Sequence, residues 1–140
     1  MKKKILFVAF FATGLFAGKN ANPALEGYCP VAYVEMNSAL KGSADHKSQA
    51  GGSTYLFANA DAKKMFDGNP KKYTDAIQYG TYCATAMSMG KKLKSDLSIF
   101  SKQGDKVYFF SSADAKAMFD KDPDSFISKA DKAWIKAKRK

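Results

Sequence analysis

The side chains best suited to chemistry in this chain are two cysteines and the two methionines that follow the second cysteine. Cys29 and Cys83 supply thiols, and Met87 lies four residues after Cys83, on the same face if this segment is helical. Met89 follows close behind. Thiolate and thioether are soft ligands that select copper(I) over harder ions. We therefore predict a soft-metal site, most simply for copper(I), in a protein that buffers or transfers the ion.

Two other interpretations of the cysteines remain open. Two cysteines in an exported chain most simply form a disulfide, which would make the protein a disulfide-stabilised binding or interaction module without metal. Unpaired thiols would instead leave thiol-redox chemistry as the remaining enzymatic role. That role requires an exposed and activated cysteine.

Zinc sites and hydrolytic chemistry are not favoured. A structural zinc site uses four ligands, whereas Cys29, Cys83 and His46 supply only three. His46 stands in the polar stretch SADHKS, where we expect a solvated side chain. The sequence contains no Gly-x-Ser-x-Gly, phosphate-loop, HExxH or Cys-x-x-Cys motif. We therefore predict a binding protein and not an enzyme.

Both cysteines belong to an internal repeat. Residues 55–73 (YLFANADAKKMFDGNPKKY) and residues 108–126 (YFFSSADAKAMFDKDPDSF) are identical at ten of 19 positions without a gap. A Tyr-Cys pair precedes each copy, at 28–29 and at 82–83. The repeat predicts two units, at about 27–76 and 80–131, with one cysteine at the same place in each.

Local rules give each unit a hairpin and a helix. The aromatic runs Thr54–Phe57 and Val107–Phe110 follow glycine-bearing turns and are predicted to close hairpins. The first strands are expected near His46–Ala50 and Leu97–Lys102. Helices capped by Asn59 and Ser112 follow, ending at Pro70 and Pro123. Their apolar face is predicted to bury Ala62, Met65 and Phe66 in one copy and Ala115, Met118 and Phe119 in the other.

The cysteines are predicted to stand at helix N-termini. Proline is favoured as the first helical residue, so Pro30 places Cys29 at the N-cap. Cys83 precedes a short helical run that Gly90 would stop. A helix N-terminus favours the anionic thiolate. Because one unit alone buries little surface, we predict an α+β fold in which two pseudo-symmetric ββα-type units share one core within residues 25–135.

The chain begins with the marks of export. Lys2–Lys4 precede a 13-residue apolar run that ends at Ala17, which predicts a signal peptide at residues 1–17, cut between 17 and 21, and a periplasmic or secreted protein. We expect no stable membrane insertion after cleavage. Without residues 1–17 the net charge is +7, which we interpret as a solvated surface plus a basic tail at 136–140. Contact with anionic lipid or an acidic partner is the alternative; nucleic acid is not expected.

Several segments resemble the YHS-domain family. They are GYCPVAY (27–33), TYLFANADAKKMF (54–66), the Asn-Pro and Tyr within 69–73, YGTYCA (79–84) and DKAW (131–134). The resemblance covers residues 25–135 and implies a YHS-like unit and metal handling, with a metal transporter or another periplasmic protein as partner. Many exported members of the family carry Asp at the place of Cys29. The departure to cysteine favours a two-cysteine site, and the Tyr-His-Ser triplet of the family name is absent.

Overall fold

The computed structural model describes residues 22–139, which form a mixed α+β fold. These residues contain six α-helices and two separate two-stranded antiparallel sheets, so the predicted α+β class is confirmed. The predicted signal peptide, residues 1–17, lies outside the described residues.

The two halves of the chain have the same order of elements. In the first half they are α1 (Pro30–Met36), β1 (Ser43–Ala50), β2 (Ser53–Phe57), α2 (Ala60–Gly68) and α3 (Pro70–Thr74). In the second half they are α4 (Ala84–Ser88), β3 (Asp96–Gln103), β4 (Lys106–Phe110), α5 (Ala113–Lys121) and α6 (Pro123–Lys138). A short 3-10 turn precedes α1 at Ala24–Gly27 and α4 at Tyr79–Thr81.

Both predicted hairpins are present, and they share an irregularity. The register of β1 against β2 shifts between Ser43 and Lys47. The register of β3 against β4 shifts at the equivalent place, between Asp96 and Phe100. In each hairpin the first strand advances four residues while the second advances one, so three residues of the first strand are unpaired. Extra residues in one strand bend a hairpin and increase its twist, so both hairpins are irregular at the same point of the repeat.

The helix after each hairpin is capped as predicted and is tied to the hairpin by a carboxylate. The Asn59 side chain accepts a hydrogen bond from the Ala62 amide at 2.8 Å, and Ser112 accepts one from Ala115 at 3.1 Å. Asp67 on α2 accepts from Ser48 on β1 and pairs with Lys63. The same interactions recur in the second half, at Asp120, Ser101 and Lys116.

One expectation about these helices was wrong. Met65 and Met118 are 47% and 45% exposed, whereas Phe66 and Phe119 are fully buried. The apolar stripe is therefore narrower than the i, i+3, i+4 pattern indicated. Pro70 and Pro123 also do more than end a helix, because each is the first residue of another. The second of these helices, α6, runs to Lys138, so most of the predicted basic tail is helical.

The connection between the halves pairs with strand β4. The Val107 amide donates to the Ala76 carbonyl at 2.8 Å, and the Gln78 amide donates to the Val107 carbonyl at 3.1 Å. Parallel bridges join Ile77 to Val107 and Cys83 to Phe109. The connection is thus hydrogen-bonded to the second hairpin and fixes the point at which the second unit begins.

The buried residues form two clusters, and the first contains side chains from both halves. Leu97, Val107 and Phe109 of the second half pack with the first-half residues. Tyr33 of α1 is fully buried, and its hydroxyl donates to the Leu97 carbonyl at 2.7 Å. The halves therefore pack on each other, while a pseudo-two-fold axis relating them stays a prediction.

We predict that Tyr33→Phe lowers the free energy of unfolding by about 1–2 kcal/mol, because it leaves the buried Leu97 carbonyl without its partner. Urea unfolding followed by circular dichroism measures the loss. Tyr55→Phe is the matched control, because the Tyr55 hydroxyl has no hydrogen-bond partner within residues 22–139 and its ring packs against the same cluster. Equal losses in the two variants would contradict the assignment.

A second prediction concerns Glu35, which joins α1 to α3. Hydrogen bonds from Lys72 at 2.7 Å and Tyr73 at 2.6 Å lower the pKa of Glu35 below its ordinary value of 4.5. A lowered carboxyl pKa stabilises the fold above that ordinary value, and the contribution disappears as the pH falls further. We expect Glu35→Gln to cost about 1 kcal/mol at pH 7 and less at pH 3. Urea unfolding at both pH values measures the two losses in the free energy of unfolding. The control is Asp45→Asn, because Asp45 is exposed and makes no salt bridge within 22–139; its effect should not differ between the two pH values.

Candidate functional site

Each cysteine is the residue immediately before a helix, as the sequence predicted. Cys29 has an extended backbone (φ −77°, ψ 117°) and precedes Pro30, the first residue of α1. Cys83 has φ −59° and ψ 120° and precedes α4. Neither side chain caps its helix by a hydrogen bond, so both thiols are free for other interactions.

A left-handed turn leads into each Tyr-Cys step. Leu25, Glu26 and Gly27 have φ values of 56°, 53° and 87°. Tyr79, Gly80 and Thr81 have 55°, 57° and 72°. A non-glycine residue with such a positive φ destabilises the folded state by about 1–2 kcal/mol. Hydrogen bonds of 2.9 Å from Tyr28 to Leu25 and from Tyr82 to Tyr79 close the two turns. An equivalent strained backbone segment therefore precedes each of the two cysteines.

The cysteine backbones are also anchored in the same way. The Cys29 amide donates to the Leu40 carbonyl at 2.7 Å, and the Cys83 amide donates to the Leu93 carbonyl at 2.9 Å. Antiparallel bridges from Tyr28 to Lys41 and from Tyr82 to Lys94 lie next to these bonds. The two cysteines therefore occupy matching positions in the two halves.

Both thiols are buried and neither forms a disulfide. Cys29 is 0% exposed and belongs to the first cluster, whereas Cys83 is 1% exposed and belongs to the second. Phe109 connects the two environments, because its side chain lies in the first cluster and its backbone forms the bridge with Cys83. Cys83 therefore pairs with β4 directly, whereas Cys29 shares a buried cluster with two side chains of that strand, Val107 and Phe109.

The surroundings of the two thiols differ in one polar group. The Ser111 hydroxyl donates a weak hydrogen bond to the Cys83 sulfur at 3.6 Å. Ala58 occupies the equivalent position in the first half, so Cys29 lacks this partner. Ser111 could not be identified as a neighbour of Cys83 from the sequence. Its approach to Cys83 depends on the pairing of Cys83 with Phe109, a long-range contact without a local sequence signal.

The two candidate methionines differ in burial. Met87 is 1% exposed and shares the second cluster with Cys83, and its amide donates to the Cys83 carbonyl at 2.9 Å. Met89 is 57% exposed. His46 lies partly buried on β1. Within residues 22–139, no three or more His, Cys, Asp or Glu side chains gather closely enough to hold a metal ion. Any metal bound there would rely on the two thiols and thioether sulfur.

Nearby phenols remain protonated at neutral pH. Burial raises the pKa of Tyr108 to about 12. Burial, reinforced by the hydrogen bond that its hydroxyl donates to Asp131, also raises the pKa of Tyr79. These rings line the second cluster with neutral, largely apolar surface. These two tyrosines therefore offer no phenolate ligand to a metal at neutral pH.

No helix among the described residues has the length and apolar character needed to cross a membrane.

We predict that native protein reacts slowly with iodoacetamide at both cysteines, because buried thiols react only when the structure opens locally. Mass spectrometry should show little modification in buffer within minutes and two modifications after unfolding in guanidinium chloride. Fast alkylation of either thiol in the folded protein would contradict the observed burial and would favour the thiol-redox interpretation.

No family model, no curated protein and no solved structure matches the chain. The resemblance to YHS-domain proteins therefore stays a prediction from the residues quoted above.

Proposed function

We propose that this protein binds a soft metal ion, copper(I) in the first instance, through Cys29 and Cys83 and buffers or passes on the ion without catalysing a reaction. One observation carries the proposal: both thiols are free and buried at matching positions of the two halves. Phe109 of β4 links their surroundings, because its backbone pairs with Cys83 and its side chain belongs to the cluster that contains Cys29.

The choice of metal follows from the donors. Two thiolates and a thioether are soft ligands, which favour copper(I) over magnesium, calcium or manganese. Copper(I) also accepts two or three ligands, whereas structural zinc sites use four. Binding would release the thiol protons, so affinity should fall as the pH is lowered.

Met87 is the thioether that we assign to the site, because it is buried in the same cluster as Cys83. The sequence offered Met89 equally, but that side chain is more than half exposed. Met89 therefore serves as a control in the experiment below.

The setting that we propose is the periplasm or the extracellular space, following the predicted signal peptide. The partners would be the metal ion and a metal transporter or another exported protein that delivers or receives it. Because both thiols are buried, loading requires local opening around α1 or α4, and we expect exchange of the ion to be slow.

The test is an anaerobic titration of reduced protein lacking residues 1–21 with copper(I), in competition with a coloured copper(I) chelator. We expect one ion per chain, thiolate-to-copper absorption in the ultraviolet, and a raised melting temperature. Cys29→Ala and Cys83→Ala should each weaken binding at least 100-fold. Met87→Leu should weaken it several-fold and Met89→Leu should have no effect.

Folding must be checked, because both cysteines are core residues. Alanine avoids burying a new hydroxyl, and circular dichroism with thermal melting identifies variants that have unfolded. A folded Cys29→Ala, Cys83→Ala double variant that binds as tightly as the parent would overturn the proposal. So would protein taken directly from the periplasm that carries a Cys29–Cys83 disulfide by intact mass, since this outcome assigns the pair to a metal-free module.

A further inference from the structure

One face of the second half collects the positive charge of the protein. It is formed by the segment after α4 and by the last two turns of α6, and we call it the basic face. Its charged members are Lys91, Lys92, Lys94, Lys132, Lys136, Lys138 and Arg139, all exposed.

The two segments of the basic face lie side by side. Gly90 lines a surface groove together with Ile135 and Lys136 of α6. The Trp134 ring connects them further, with the Lys92 ammonium 6.0 Å and the Lys138 ammonium 5.9 Å from its centre. Lysines that are distant in sequence therefore surround one aromatic side chain.

The charge of this face is unbalanced. Residues 22–139 contain 18 Lys and Arg and 13 Asp and Glu, a net charge of +5. The basic face alone carries +7, and neither of its segments, 84–95 and 132–139, contains an acidic residue. The rest of the described chain is therefore slightly negative, and the protein is polarised toward this face.

Apolar groups lie among these charges. Ile135 is 55% exposed between Lys132 and Lys136, and Met89 is 57% exposed next to the groove. Exposed apolar side chains within a ring of lysines suit the boundary between lipid headgroups and acyl chains, where the ammonium groups meet phosphates. Protein interfaces are depleted in lysine and enriched in arginine, whereas six of the seven cations here are lysine.

We propose that the basic face binds the surface of an anionic lipid bilayer, with Ile135 and Met89 at the level of the acyl boundary. Each lysine near an anionic surface strengthens binding about 5-fold. The attraction is screened by salt, so attachment is reversible. This surface is separate from the buried cysteines, and the proposal does not depend on the metal.

The test is co-sedimentation of the protein lacking residues 1–21 with vesicles of phosphatidylcholine alone or with an equal amount of phosphatidylglycerol. At 50 mM salt we expect binding to the anionic vesicles only, with substantial loss at 300 mM. Removing four charges of the basic face should weaken binding about 100-fold or more. The variant carries Lys91→Gln, Lys92→Gln, Lys132→Gln and Lys136→Gln.

A matched control removes the same charge elsewhere. Four exposed lysines outside the face make no salt bridge within 22–139, and their replacement by Gln should weaken binding less than 10-fold; they are Lys47, Lys64, Lys106 and Lys121. Ile135→Ser should weaken binding several-fold, and Met65→Ser, at a similarly exposed residue of the first half, should not.

Three outcomes would overturn the proposal. They are equal binding to neutral vesicles, equal losses in the two lysine variants, and binding to poly-glutamate but not to anionic vesicles. The last outcome would assign the face to an acidic protein partner.

Discussion

The packing of the two halves depends on the pairing of β4 with residues 76–83, the segment that leads from the first half into the second. Two backbone hydrogen bonds at Val107 and a bridge at Phe109 hold this connection, and the same strand sends Val107 and Phe109 into the first cluster. The backbone of β4 thus positions Cys83, while its side chains pack in the cluster that contains Cys29. Together with Tyr33, whose hydroxyl donates to the Leu97 carbonyl of β3, strand β4 packs the half that carries Cys83 against the half that carries Cys29.

Much of the fold could be predicted from the sequence because its signals are local. The hairpins, the Asn59 and Ser112 caps and the position of both cysteines before helices follow from turn residues, capping oxygens and a proline. Met65 and Met118 were misplaced because helical periodicity identifies a face but not its width. Met87 and Met89 could not be separated, and Ser111 could not be found, because their surroundings are set by tertiary contacts. Whether the two thiols can bind one ion likewise depends on the distance between their sulfur atoms, which the composition of the sequence does not determine.

The two halves differ most at their ends. After the proline, the first half has the five-residue α3, whereas the second has the 16-residue α6, which packs Ala130 and Trp134 against the cluster around Cys83. The interior of the second half is covered by this helix, and its outer side carries the cations that form the basic face. One copy of the unit therefore supports both a buried thiol and a charged exterior.

The left-handed turns before the two cysteines restrict which amino-acid substitutions this chain can accept. Thr81 is branched at its β-carbon and has φ 72°, a combination that a protein keeps only where its neighbours enforce it. Proline is forbidden at Leu25, Glu26, Tyr79 and Thr81, because its ring fixes φ near −65°, while glycine or asparagine would relieve strain. Substitution in the two turns is therefore limited by the left-handed backbone, and at Tyr79 by burial as well. Related chains should show glycine or asparagine at the other positions of these turns.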